Sequence, residues 1–185
     1  MIEDIIENIM KEVIQKGNPI LRKKASKVAP EDITGDGIQS LLKDMSETLR
    51  EKKYGVALAA PQIGTSVRIF ILAERIFTEE EHKKNGLVYI NPKIIKTSRK
   101  KAEVEEACLS VDGYFGTVKR AALVTVEAYN EHGNMFTRGA GGLLAQIFQH
   151  EIDHLNGILY TDHAHNVQKV EDEKSTKNQD DQLGT

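Results

Sequence analysis

The chain has 185 residues and nearly balanced charge, with 28 acidic and 25 basic side chains giving a net −3. Its 39% hydrophobic and 29% charged content suits one globular domain with a sizeable core. The absence of a basic stripe argues against sequence-specific nucleic-acid binding, and a single cysteine excludes an intramolecular disulfide framework and favours a reduced, intracellular setting.

From the N-terminus, apolar residues at 2, 5, 6, 9, 10, 13 and 14 predict an amphipathic helix over residues 1–16. Acidic residues interrupt this stretch, so it is expected to be neither a secretory signal nor a transit peptide. No segment approaches the ~20 apolar residues that cross a bilayer. The expectation is a soluble, cytoplasmic protein without a membrane partner. Gly17-Asn18-Pro19 breaks the first helix, and Asn18 to Arg22 reads as a short extended piece. After a polar connection from Pro30 to Gly37, a stripe of Ile38, Leu41, Leu42, Met45 and Leu49 predicts a core-packing helix.

Val67 to Leu72 is apolar and β-branched, a buried strand. A charged connection from Arg75 to Lys84 ends at Asn85-Gly86, and Leu87 to Ile90 reads as the next strand, with Asn91-Pro92 as a turn into Lys93 to Lys96. Arg99-Lys100-Lys101 reads as a solvated turn. Ala122 to Tyr129 is a further strand, followed by a turn at Glu131 to Asn134 and the segment Met135 to Thr137. Ala140 to Leu155 has few breakers and apolar residues at mostly helical spacings, with Gly157 as its stop. Strand runs followed by a late helix predict an α+β fold, a mostly antiparallel sheet packed around that helix. Residues 1–166 are expected to form a single catalytic domain, and 167–185, rich in charged and amide residues, a flexible polar tail.

The late helix carries His150-Glu151-Ile152-Asp153-His154. Two histidines four apart lie one above the other on a helix and can share one metal ion, with Glu151 beside them to handle protons of a bound water. A third ligand is needed. The longer metzincin pattern accepts Gly157 but meets Tyr160 where histidine is required, and His163 and His165 arrive beyond the helix end. Cys108 is the alternative, a thiolate that with two imidazoles leaves an open position, as catalytic zinc sites do.

Three stretches now stand in order: Gly55-Val56-Ala57-Leu58-Ala59-Ala60-Pro61-Gln62, Glu106-Ala107-Cys108-Leu109-Ser110, and Gln149-His150-Glu151-Ile152-Asp153-His154-Leu155. Together they resemble peptide deformylase, whose motifs are G-x-G-L-A-A-x-Q, E-G-C-L-S and Q-H-E-x-D-H-L. The last matches in full; Ala57 and Ala107 replace a glycine in the other two. The likeness runs from about Asn18 to His163.

The resemblance implies an amide hydrolase that removes the formyl group from the N-terminal formylmethionine of nascent chains, with the ribosome as the expected place of action. It implies Cys108, His150 and His154 as metal ligands, with Glu151 moving the proton from water to the leaving amine. The Gln62 side-chain amide and the Leu109 backbone N–H would be oxyanion donors. Ligand softness suits zinc, whereas the family is associated with Fe2+, with Ni2+, Co2+ or Zn2+ able to take its place. Val56, Leu144, Ile147 and Phe148 are expected walls of a methionine pocket, and Glu106 is expected to pair with Arg120. Ala57 and Ala107 motivate two other readings. One is a deformylase-like protein that binds metal and peptide with reduced or lost turnover, and the other an amidohydrolase for a different small acyl group.

Overall fold

The computed structural model describes residues 11–77 and 86–170. Residues 1–10 of the expected first helix, most of the charged connection before Asn85, and residues 171–185 lie outside the described residues. Two helices occur among them, α1 (Asp36–Glu51) and α2 (Gly142–Leu155). The strands are β1 (Ala57–Ala59), β2 (Ile69–Leu72), β3 (Val88–Thr97), β4 (Lys101–Cys108), β5 (Val111–Ala121), β6 (Leu123–Tyr129), β7 (Met135–Gly141) and β8 (His165–Lys169). They form an antiparallel five-stranded sheet in the order β1-β2-β3-β6-β7 and an antiparallel three-stranded sheet in the order β4-β5-β8. The fold is the expected α+β.

The short strand β2 shows how the layers are assembled. Successive strand residues point to opposite faces, so Phe70 and Leu72 join the cluster containing Phe148, Ile152 and Leu155 of α2. Ile69 and Ile71 join Leu41, Met45 and Leu49 of α1. The five-stranded sheet is therefore covered by α1 on one face and α2 on the other. That double burial is why β2 reads as an unbroken apolar run. Phe148 is locked among aromatic rings, 4.9 Å from Tyr89, which itself stacks on Phe70 at 4.6 Å.

Several expectations need correction. Lys11 to Lys16 is not helical; Ile14 N–H donates to the Gln62 carbonyl at 2.8 Å and Lys16 N–H to the Ser110 carbonyl at 2.7 Å. Val13 packs with the α1 cluster and Ile14 with a third cluster containing Leu21, Cys108 and Tyr160. Adjacent residues serving two different clusters is extended-chain behaviour that an amphipathic pattern imitates over so short a stretch. Pro19–Arg22 is a 3-10 turn rather than an extended piece, capped by Asn18, whose side chain accepts from Ile20 N–H.

Asn91-Pro92 does not end a strand. Asn91 sits inside β3 at φ 52, where the register with β6 slips, and its side-chain amide both accepts from and donates to the Val28 backbone. Those two bonds hold a bulge. Strand β8 pairs with β5 through Lys169, so ordered pairing continues past residue 166, where the polar tail was expected to begin. Every residue of β8 is exposed, which leaves no hydrophobic alternation to read.

Helix α2 is fixed at its C-terminal end. Arg68 donates to the Leu155 carbonyl at 3.1 Å and to Asn156 Oδ1 at 2.9 Å, placing a cation where the helix dipole favours one. Gly157 follows at φ 77, and a Cβ there would lie 2.5 Å from the Arg22 carbonyl oxygen. Only glycine permits both this backbone and this approach.

Candidate metal centre

The β4–β5 hairpin and α2 build the site between them. Cys108 ends β4 and pairs across the two-residue turn Leu109-Ser110 with Val111. His150 and His154 come from successive turns of α2, their ring centroids 4.9 Å apart. Cys108 Sγ lies 3.1 Å from His154 Nε2, and one ligand atom from each of Cys108, His150 and His154 falls within 4.8 Å of the other two. The sequence separation of 46 between Cys108 and His154 is thus closed by the fold.

The donor chemistry fits a divalent metal. Burial pushes the Cys108 thiol up, but the charge of His154 and hydrogen bonds to both imidazoles outweigh it and hold the thiol well below its ordinary value. A thiolate is the form that ligates. His150 Nδ1 is 2.9 Å from Glu106 Oε2, which leaves Nε2 for an ion, the usual way a ligating imidazole is oriented. Burial alone would lower His150, whereas its bonds to Cys108 and Glu106 raise it well above the ordinary histidine value.

Behind His150 the expected Glu106–Arg120 pair is present and bidentate, with Nε to Oε1 at 2.7 Å and a terminal nitrogen to Oε2 at 2.9 Å. Arg120 also grips Asp153 Oδ2 at 2.5 Å. Burial works against the Glu106 charge, yet Arg120 and His150 together draw its carboxyl down to about 2. The network ties β4, β5 and α2 together around Cys108, His150 and His154. Asp153 was not assigned from sequence; it directly precedes His154, a candidate ligand, on the same helix, and that was the available signal. We expect Glu106→Gln, which keeps the shape and removes the charge, to weaken metal affinity by about 10–100-fold. Competition with a chelator of known affinity measures this, and unchanged affinity would reduce Glu106 to packing.

Glu151 is 4% exposed, and its Oε2 has no hydrogen-bond partner among the described protein atoms. Burial raises its carboxyl to about 7, against the lowering pull of His150 and His154. Gln62 is 2% exposed and far from an ordinary surface residue. Its Oε1 accepts from Ala59 N–H at 2.8 Å, and its Nε2 faces Ser110 Oγ at 3.1 Å and Cys108 Sγ at 3.6 Å. The amide thereby has a fixed orientation, nitrogen toward the sulfur. Ser110 was not singled out from sequence, although it belongs to the second motif.

Cys108, Glu151, His150 and Gln62 open into a cleft of about 770 Å³ that Leu109, Val56 and Ile147 also line. Leu143 lines it too, but Leu144 and Phe148 do not. Leu144 packs against the α2 cluster and Phe148 is fully buried in the aromatic core. Consecutive residues of a helix point in different directions, so Leu143 takes the place expected of Leu144.

Ala57 and Ala107 both line the cleft. They lie in β1 and β4, and among the described residues the only non-glycine positions with positive φ are Asn91 and Asn166. A methyl therefore brings no backbone strain at either place. We expect the Ala57→Gly, Ala107→Gly double variant to change kcat/KM by less than about tenfold, or ~1.4 kcal/mol in barrier. A silent parent made strongly active by the two glycines would show that the methyls block the site.

The polypeptide deformylase family model matches residues 10–170. A peptide deformylase of Halothermothrix orenii is 46% identical over 147 residues, covering 79% of this chain and 88% of that one. The peptide deformylase of Synechococcus elongatus in complex with actinonin superposes with a TM-score of 0.74 at 32% identity, over 84% of this chain and 79% of that one. The Met-Ala-Ser-bound class I type b peptide deformylase of Acinetobacter baumannii gives 0.74 at 33% identity, over 84% and 98% of the two chains.

Proposed function

The chain belongs to the polypeptide deformylase family, and on that premise we propose that Cys108, His150 and His154 hold one divalent metal beside Glu151, Gln62 and Leu109 as its reaction groups. The enzyme is a peptide deformylase, hydrolysing the formyl amide at the N-terminus of formylmethionyl chains and releasing formate. The observation that carries the site assignment is the convergence of three ligand atoms within 4.8 Å in a cleft that Glu151 also lines.

A metal bound there supplies Lewis acidity and a water nucleophile near neutral pH. Glu151 takes the proton released as water attacks the formyl carbon, and returns it to the nitrogen as the amide C–N bond breaks. Its buried, unpartnered oxygen and its raised carboxyl suit a group that must both accept and give a proton near neutrality. The Gln62 amide and the Leu109 N–H donate to the developing oxyanion, and Gln62 is already held by the Ala59 N–H. Val56, Leu143 and Ile147 offer an apolar wall for a methionine side chain.

We assign Fe2+ as the ion in the cell, with Zn2+, Ni2+ or Co2+ as functional substitutes. The proposed setting is the cytoplasm, on nascent polypeptides emerging at the ribosome. No helix among the described residues is long and apolar enough to cross a membrane. Residues 1–166 are proposed as the catalytic domain, which the β8 pairing extends through Lys169. Purified, metal-loaded protein given a formylmethionyl tripeptide is expected to release formate in multiple turnovers. Binding without release would favour the reading of a protein that has lost turnover. Release from other acyl-methionyl peptides in preference to formyl would favour a different amidohydrolase.

A further inference from the structure

The two-residue turn that carries Cys108 is gripped from outside by a residue with no part in the family's three motifs. Gln15 Nε2 donates to the Leu109 carbonyl at 2.9 Å, and its Oε1 receives the Asp112 N–H at 3.4 Å. The same nitrogen also lies 3.1 Å from its neighbour's carbonyl on Val13. On either side of Gln15, the backbone of Ile14 and Lys16 is bonded to Gln62 and Ser110. The segment therefore straps together the two loops that supply Gln62 and Leu109.

The peptide between Leu109 and Ser110 is the central peptide of that turn, pairing Cys108 with Val111. The central peptide of a turn makes no ladder bond, so whatever holds its two polar ends sets its orientation. One end is the Leu109 carbonyl, held by Gln15. The other is the Ser110 N–H, which lies 3.4 Å from Cys108 Sγ. Turning the carbonyl away from Gln15 necessarily swings this N–H away from the sulfur.

We propose that Gln15 is a positioning residue for the metal site: by holding the Leu109 carbonyl, it keeps the Ser110 N–H aimed at the Cys108 sulfur. A hydrogen bond to a ligating thiolate withdraws electron density from it and so tunes the metal it binds. Loss of the Gln15 donor makes the sulfur a stronger donor to the ion. The inference rests on Cys108 being a ligand, as proposed above, and needs no particular substrate.

The test uses full-length protein loaded with cobalt(II), whose thiolate-to-metal charge-transfer band reports the sulfur directly. In Gln15→Ala and in Gln15→Glu the band is expected to move to longer wavelength, with cobalt stoichiometry and circular dichroism unchanged. The glutamate variant keeps the acceptor for Asp112 N–H and lacks the donor, so a shift shared by both identifies the donor as the working part. Lys11→Ala loosens the same segment at its Lys11–Asp44 ion pair and is expected to leave the band in place. A band unmoved in both Gln15 variants, moved only in the alanine variant, or moved equally by Lys11→Ala overturns the proposal. A parent that binds cobalt without any thiolate band removes Cys108 as ligand, and this inference goes with it.

Discussion

Glu151→Ala is expected to keep one metal per chain and to lose about 10²–10⁴-fold in turnover, the usual consequence of deleting a general acid–base group. The residue sits in the third turn of α2, where alanine is the best helix former, so the helix carrying both histidines is retained. Stability should not fall. A carboxyl whose folded-state value is raised to about 7 from 4.5 opposes folding wherever it is ionised in the unfolded chain, that is, above the unfolded value. Its removal relieves that opposition at neutral pH. The variant is therefore expected to melt no lower than the parent while failing to release formate at the parental rate. Metal analysis, thermal denaturation and formate release on the same preparation check all three. Near-normal turnover with full metal occupancy would take Glu151 out of the mechanism.

Part of the site is legible in the sequence. His150, Glu151 and His154 are positioned by one helix, whose period can be read directly, so their juxtaposition needs no knowledge of the tertiary fold. Cys108 is reached only by elimination and by motif order, because it arrives from a hairpin 42 residues before His150 (150 − 108). That hairpin itself carries little signal. β4 runs Lys-Ala-Glu-Val-Glu-Glu-Ala-Cys, mostly exposed, and only the pairing with β5 makes it a strand. Glu106 could be matched to Arg120 by resemblance, but the further links to His150 and Asp153 depend on how α2 docks against β5. Docking is decided by Phe148, Ile152 and Leu155 burying themselves against the sheet, a nonlocal choice.

The misreadings have a common physical source. Val13 and Ile14 look like one face of a helix, yet each fills a different hydrophobic cluster. Asn91-Pro92 looks like a turn, yet the Asn91 side chain satisfies the Val28 backbone and holds a bulge. On local sequence alone Gln62 reads as an ordinary polar residue after a turn, yet Ala59, Ser110 and Cys108 enclose it. In each case local pattern gives the correct residue chemistry, and a partner distant in sequence decides what that chemistry does.

Cys108→Ser is expected to abolish stoichiometric metal binding while leaving the fold intact. The loss of affinity should exceed the ~10–100-fold that removal of an outer partner costs, because a bonding atom itself is changed. Serine replaces a thiol that the site holds as thiolate with a hydroxyl that stays protonated at neutral pH. Its oxygen also has a shorter reach: metal–sulfur bonds to zinc are about 2.3 Å and metal–oxygen bonds about 2.0–2.2 Å. The backbone cannot readily move to compensate, since Cys108 pairs with Val111 and its turn is tied to Lys16 and Gln15. The fold is expected to survive because the donors facing the sulfur, Gln62 Nε2 and Ser110 N–H, can serve a hydroxyl oxygen as well. Metal per chain after gel filtration against a weak chelator, with circular dichroism on the same sample, separates loss of the ion from loss of structure. Two imidazoles alone should then hold the metal only weakly and release it to the chelator. Full occupancy in the folded serine variant, with His150 and His154 intact, would mean that another group completes the site and that the sulfur 3.1 Å from His154 Nε2 is there for a different purpose.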